Sequence, residues 1–166
     1  NRLKRFGDFP FVTRTRILIP SKNRTHFYLV YGTRHRKGLL EFRNVEQRIW
    51  DRQNHIYGDL RQKRRVASSA QEELFSPEFA AEQPGALVKE KDENIRAAQL
   101  AIERYLGDVG RASFADLQDI AFQIPFVWKD DVQRIVRELR RKEKVDVQGM
   151  TQRQRVLNDE HCVVWK

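Results

Sequence analysis

Residues 92–166 carry three apolar stripes of helical period, each closed by a glycine or a proline, followed by short segments of alternating character. Each stripe must bury one side, so three of them joined by tight stops confine the chain to a small helical unit finished by strands. Asp92 and Glu93 open the first, which runs through Ile95, Ala98, Leu100, Ile102 and Leu106 and stops at Gly107. Ser113 precedes the second, in which Phe114, Leu117, Ile120 and Ala121 face inward and Asp116 stands three residues on. That spacing predicts an approximate capping box, the hydroxyl and the carboxylate each accepting an otherwise unpaired amide. Pro125 ends this helix, and Phe126, Val127 and Trp128 lead into the third. Residues 144–147 read as a short strand and Gly149 as a turn; residues 155–157 and 162–165 supply the remaining extended segments around Asn158-Asp159.

Three helices followed by a β-hairpin is the layout of a winged helix, a module that commonly binds nucleic acid. The third helix, residues 129–144, places Val132, Ile135, Val136 and Leu139 on one stripe. At about 100° per residue, Gln133, Arg137, Arg140, Arg141 and Lys144 fall together on the other side. With Lys129 at its start, that face is the candidate contact surface for a phosphate backbone and for base edges. Arg153 and Arg155 extend it onto the wing, where reaching the backbone or minor groove competes with guarding an exposed edge by charge. The competing reading of the whole face is a solvated surface that only keeps the chain in solution.

Charge is distributed unevenly. Residues 1–65 hold 17 basic and 5 acidic groups, residues 66–128 hold 5 and 11, and residues 129–166 hold 10 and 7. Two basic blocks, +12 and +3, around an acidic one of −6 make up the formal net charge of +9 and suggest a surface facing a polyanion. At 166 residues the chain is long enough for one domain or two small ones. No stretch approaches a membrane span, and Cys162 is the single cysteine, so neither a disulfide framework nor a cysteine-rich metal site is expected. A reducing, cytoplasmic setting fits best. The chain begins at Asn1 without methionine, and we read it as a piece of a longer protein.

The first third predicts a hairpin. Residues 14–19 read as a strand stopped by Pro20, and residues 26–31 as a second, apolar almost throughout and so expected to be buried on both faces. An isolated hairpin is marginal in water, so further strands, the following helix, a second copy or a partner chain must cover it. A basic loop follows with Arg34, His35, Arg36 and Lys37, the three cations being candidate phosphate contacts. A helix is expected over residues 39–74, with Gly58 as a possible break and Ser76-Pro77 as its end. The expected division is therefore a hairpin and long helix over 1–76, a linker over 77–91 and a winged helix over 92–166, an α+β chain.

Tyr28-Leu29-Val30-Tyr31-Gly32-Thr33-Arg34-His35-Arg36-Lys37-Gly38-Leu39, taken with the C-terminal layout, resembles the three-Cys-motif partner family. In that family a methyltransferase-like α/β domain precedes a winged helix, and a last buried strand enters a Thr-x-His-x-x-Gly turn, matched by Thr33, His35 and Gly38. The resemblance covers most of the chain and implies that residues 1–76 are the end of such a domain. It departs from the family in lacking the Gly-rich loop that holds the cofactor: none of the eight glycines forms a G-x-G cluster. S-adenosylmethionine and methyl transfer are thus implied for a longer parent, and no cofactor or catalytic residue is expected in this chain.

Little else carries chemistry. His35 is a general-base candidate, but no carboxylate or nucleophile stands at a recognisable spacing. His26, His55 and His161 are scattered and form no metal-ligand pattern. Trp50, Trp128 and Trp165 fit base stacking or, more readily, core anchoring. Three functions remain open: a nucleic-acid-binding module, with DNA expected; a protein-interaction or dimerisation adaptor; or part of a methyltransferase.

Overall fold

Backbone amides in an apolar segment must pair when they leave water, and the N-terminal strands pair with each other. In the computed structural model, which describes residues 7–19, 24–69, 85–150, 154 and 156–166, β1 (Phe11–Ile19) and β2 (Arg24–Thr33) form an antiparallel ribbon. Its register sets Phe11 opposite Thr33 and shifts once, between Ile17 and Leu18. The helix α1 (Arg36–Ser69) follows, then α2 (Gly85–Val109), β3 (Arg111–Ser113), α3 (Phe114–Ala121), α4 (Lys129–Arg141), β4 (Val145–Gln148) and β5 (Cys162–Trp165). The last three strands make a second antiparallel sheet in the order β3-β5-β4. The chain is α+β, and no helix among the described residues is long and apolar enough to cross a membrane.

The three stripes meet, with two exceptions: Leu100, expected on the first, is 67% exposed, and Ile120, expected to face inward, is only partly buried. Ala98, Ile102 and Leu106 of α2, Phe114 and Leu117 of α3, and Val132, Val136 and Leu139 of α4 are buried around one core, which Val145 and Val163 close from the sheet. Leu39 of α1 belongs to the same core. A second cluster joins Leu18 of β1, Trp50 of α1 and Leu87 of α2 to Phe126 and Trp128 in the approach to α4. The two sequence halves are therefore packed on each other, with apolar burial crossing the expected division.

Several boundaries move. The helix α2 opens at Gly85, so residues 85–91 are helical where a linker was expected, because Leu87 has a place in the second cluster. Gly107 does not stop α2; the helix runs to Val109, and Gly110 makes the exit with φ 74°, a conformation glycine adopts without strain. Gly58 lies inside α1. Residues 111–113 form a strand that the sequence did not announce, three residues being too few to show alternation. Leu157 is buried outside any strand, so among the described residues after the turn β5, the central strand of the C-terminal sheet, is the only strand. The turn at Pro20–Asn23, the end of the long helix near Ser76-Pro77, and most of the expected linker lie outside the described residues.

The main correction concerns β2. Phe27, Tyr28, Leu29 and Val30 are 48%, 56%, 47% and 49% exposed, where burial on both faces was expected. The ribbon has two strands, and β1 takes the inner position: Val12, Thr13, Thr15 and Leu18 are buried while β2 forms the outer edge. Side chains on opposite faces of an edge strand are covered only where another layer reaches them. Near the end of β2 one does, since Tyr31 stacks on Phe42 of α1 with ring centroids 4.9 Å apart.

This division of burial sets the cost of substitution. Phe122→Ala, at a side chain 2% exposed in the first core, is expected to destabilise by about 3–5 kcal/mol. Leu29→Lys is expected to stay within about 0.5 kcal/mol of the parent. Urea denaturation of both variants checks this, and a loss at Leu29 as large as that at Phe122 would contradict the packing described.

Candidate nucleic-acid interface

The helix α4 is positioned by its first turn and its buried stripe. The Trp128 amide donates to Asp131 Oδ2 at 3.1 Å, and Asp130 and Asp131 stand at the positive end of the helix dipole. Arg140 and Arg141 stand in the last turn, at the opposite end. With Val132, Ile135, Val136 and Leu139 inward, Arg137, Arg140 and Arg141 are exposed on the far side, as are Lys129 at the start and Lys144 just beyond the end. Among the described residues no carboxylate pairs with Arg137, Arg140 or Arg141; the only bond of Arg137 is from Nε to the Gln133 carbonyl at 3.3 Å.

Two members of the expected face are otherwise engaged. Gln133 is buried, 5% exposed, and its Nε2 donates to the Leu157 carbonyl at 3.3 Å. The segment before β5 folds over this part of α4 and covers a position that the helical wheel alone assigns to solvent. Lys144 pairs with Glu103 of α2 at 3.0 Å. The Gln99 side chain, and then Lys144, hold the Glu103 carboxyl below its ordinary value. Arg153 and Arg155 lie outside the described residues.

Beside the exposed arginines lies a cleft of about 310 Å3 between α4 and β4. Val136, Val147, Met150 and Leu157 give it an apolar lining, and Arg137 and Arg140 border it.

The basic loop is built differently. Thr33 Oγ1 accepts the His35 amide at 3.1 Å, and the Gly38 amide donates to the His35 carbonyl at 3.0 Å. A Cβ at Gly38 would lie 2.6 Å from Thr33 Oγ1, so the turn needs glycine for a close approach. The Thr-x-His-x-x-Gly spacing is thereby accounted for as a turn leading into α1. Arg36 is committed to α3, with Nε 2.7 Å from Asp119 and Nη2 3.3 Å from Asp116; the bond to Asp119 raises its pKa further. Arg34 donates to the Gly7 carbonyl at 3.2 Å and lies over the Phe9 ring. Lys37 is exposed. The loop thus contributes less free positive charge than its composition suggests.

The sequence reading missed a buried polar network. Arg43 of α1 is 1% exposed; its Nη1 pairs with Glu46 at 2.6 Å, its Nε donates to the Phe122 carbonyl at 2.8 Å and its Nη2 donates to Thr13 Oγ1. Trp128 Nε1 donates to the same Glu46 oxygen at 3.0 Å. Burial lowers the Arg43 pKa, and Glu46 opposes that shift. A signal was present, since Leu39, Arg43, Glu46 and Trp50 follow one helical stripe, with an ion pair at positions that should be apolar. Lys91 sits over the Trp128 ring, 3.6 Å from its centroid, and 3.8 Å from Asp131. Burial likewise pushes its pKa down.

No group of His, Cys, Asp or Glu among the described residues forms a metal site. His161 is buried and its Nδ1 accepts the Asn158 amide at 2.8 Å. No protein-family model, curated protein or solved structure matches this chain.

The capping box predicted at Ser113 is formed: its hydroxyl accepts the Asp116 amide at 3.1 Å, and Asp116 Oδ2 accepts the Ser113 amide at 3.1 Å. The Ser113 hydroxyl, which also donates to Asp116 at 2.6 Å, is the main cause that holds the Asp116 carboxyl below its ordinary value. A depressed carboxyl stabilises the fold above its unfolded pKa, and the contribution is lost as pH falls through the folded value. Ser113→Ala should raise the Asp116 pKa and cost about 1 kcal/mol at neutral pH, with the difference shrinking once Asp116 is protonated. NMR titration of the carboxyl carbon with denaturation at two pH values tests both parts; an unmoved Asp116 pKa would contradict the assigned cause.

Proposed function

We propose that this chain binds nucleic acid, duplex DNA first, through α4 of a winged helix spanning residues 92–166. The observation that carries the reading is the outer face of α4, where Arg137, Arg140 and Arg141 are exposed without carboxylate partners among the described residues. Four other arginines are paired with carboxylates: Arg16 with Glu90, Arg36 with Asp119, Arg43 with Glu46 and Arg134 with Asp131. The element order supports the module assignment, since helix, strand, two helices and two strands around a β3-β5-β4 sheet is a winged-helix arrangement. In such a module the third helix meets the groove and the strands after it form the wing. Phosphate contact supplies affinity, while base preference depends on side chains that fit several readouts.

A second reading has its own observation. The half-exposed Phe27–Val30 run on the edge strand β2 favours a protein-interaction or dimerisation adaptor. The resemblance to three-Cys-motif partner proteins adds the proposal that β1, β2 and α1 end a methyltransferase-like domain in a longer parent, where S-adenosylmethionine would bind outside this chain.

Salt dependence separates the first reading from the second. The logarithm of the association constant for a labelled duplex should fall linearly with log salt, with a slope of about −0.9 per contacted phosphate. The Arg137→Ala/Arg140→Ala double variant should lose about 2 units of that slope. An unchanged slope, or no binding by the parent chain, sinks the nucleic-acid reading and leaves the adaptor.

A further inference from the structure

A cleft lies between α4 and β4, beside the exposed arginines. Its volume of about 310 Å3 lies at the lower end of the range for small-molecule sites. Val136, Val147, Met150 and Leu157 supply the apolar part of its lining, Gln133 and Gln154 a polar part, and Arg137 and Arg140 line it as well. Neither arginine is paired with a carboxylate among the described residues. Two unpaired cations beside an apolar hollow are complementary to an anion that carries an apolar body. Among the described residues the lining holds no aromatic ring, the stacking platform that recognition of an unpaired base uses.

We infer that this cleft binds a small carboxylic acid with an aromatic or branched aliphatic body. The carboxylate accepts hydrogen bonds from Arg137 and Arg140, whose planar forks match its two oxygens better than an ammonium group would. The body rests on Val147, Leu157 and Met150, the last being unbranched and able to conform to different shapes. Arg137 and Arg140 are also the proposed phosphate contacts. A bound carboxylate therefore competes with nucleic acid, and each weakens the other by the same factor. This regulatory half rests on the nucleic-acid reading; the binding site itself does not.

The test titrates the full chain, free of nucleic acid, with benzoate and follows amide shifts by NMR. Saturable shifts at Val136, Val147 and Met150 are expected, with a dissociation constant in the millimolar range, as suits a ligand of so few atoms. The Arg137→Ala/Arg140→Ala variant should bind at least about 10-fold more weakly, the loss of a charge-assisted pair. Met150→Trp, which fills the hollow and keeps both arginines, should lose benzoate while still binding duplex. Absence of saturation, equal binding of uncharged benzyl alcohol, or a preference for phenyl phosphate would each overturn the assignment to carboxylates. In the second arm, benzoate should lower duplex affinity where acetate at the same ionic strength does not. Benzoate binding without duplex binding overturns the regulation and keeps the site; duplex binding without benzoate binding overturns the site and keeps the nucleic-acid reading.

Discussion

A single buried cation organises the junction on which the molecule depends. The Arg43 guanidinium reaches β1 through Thr13, the exit of α3 through the Phe122 carbonyl, and Glu46 within its own helix; Glu46 in turn holds the indole of Trp128 at the entry to α4. Taking a guanidinium and a carboxylate out of water costs several kcal/mol per ion, and the mutual attraction offsets this only where the geometry is good and the remaining donors are satisfied. Apolar residues of similar volume could hold the same elements together, but without directional bonds. What the network supplies is a fixed orientation of α1 against the start of α4. Trp50 meets Phe126 and Trp128 with ring centroids 5.0 and 5.7 Å apart, and Lys91 covers the Trp128 face. The N-terminal ribbon and helix are in this way mounted on the helical unit that follows.

That mounting also sorts the charges. Four acidic residues of α2 and α3 face basic groups brought to them by the fold: Glu90 takes Arg16, Asp116 and Asp119 take Arg36, and Glu103 takes Lys144. These pairs are partly exposed and contribute little stability individually. Their consequence is electrostatic. They engage Arg16, Arg36 and Lys144, while Arg137, Arg140 and Arg141 on the outer face of α4 stay exposed beside a cleft.

Much of the second half was legible because its signals are local. Ser113 and Asp116 stand at the spacing a capping box requires, Pro125 cannot continue a helix, and the stripe from Val132 to Leu139 keeps a strict period; α3 and α4 follow these marks closely. What was not legible depends on contacts between distant residues. Leu87 extends α2 backward into the expected linker because Trp50 and Trp128 lie across from it. Gln133 looks like a surface residue on a helical wheel until Leu157, 24 residues away, folds over it. The apolar character of β2 suggested burial, yet composition states only what would be favourable to cover, and the two-stranded ribbon leaves that side to solvent. At the candidate site, Arg137, Arg140 and Arg141 were readable from periodicity alone. The neutralisation of Arg36 was not, since its partners are 80 and 83 residues away.

The central claim is that α4 is the surface that meets nucleic acid. The most direct measurement is a map of amide chemical-shift changes across the isotopically labelled chain on titration with a short DNA duplex. The account predicts that the largest changes fall on Arg137 to Arg141 and on the neighbouring β4, with β2 unaffected. Changes centred on Phe27 to Val30 with α4 unmoved would contradict it.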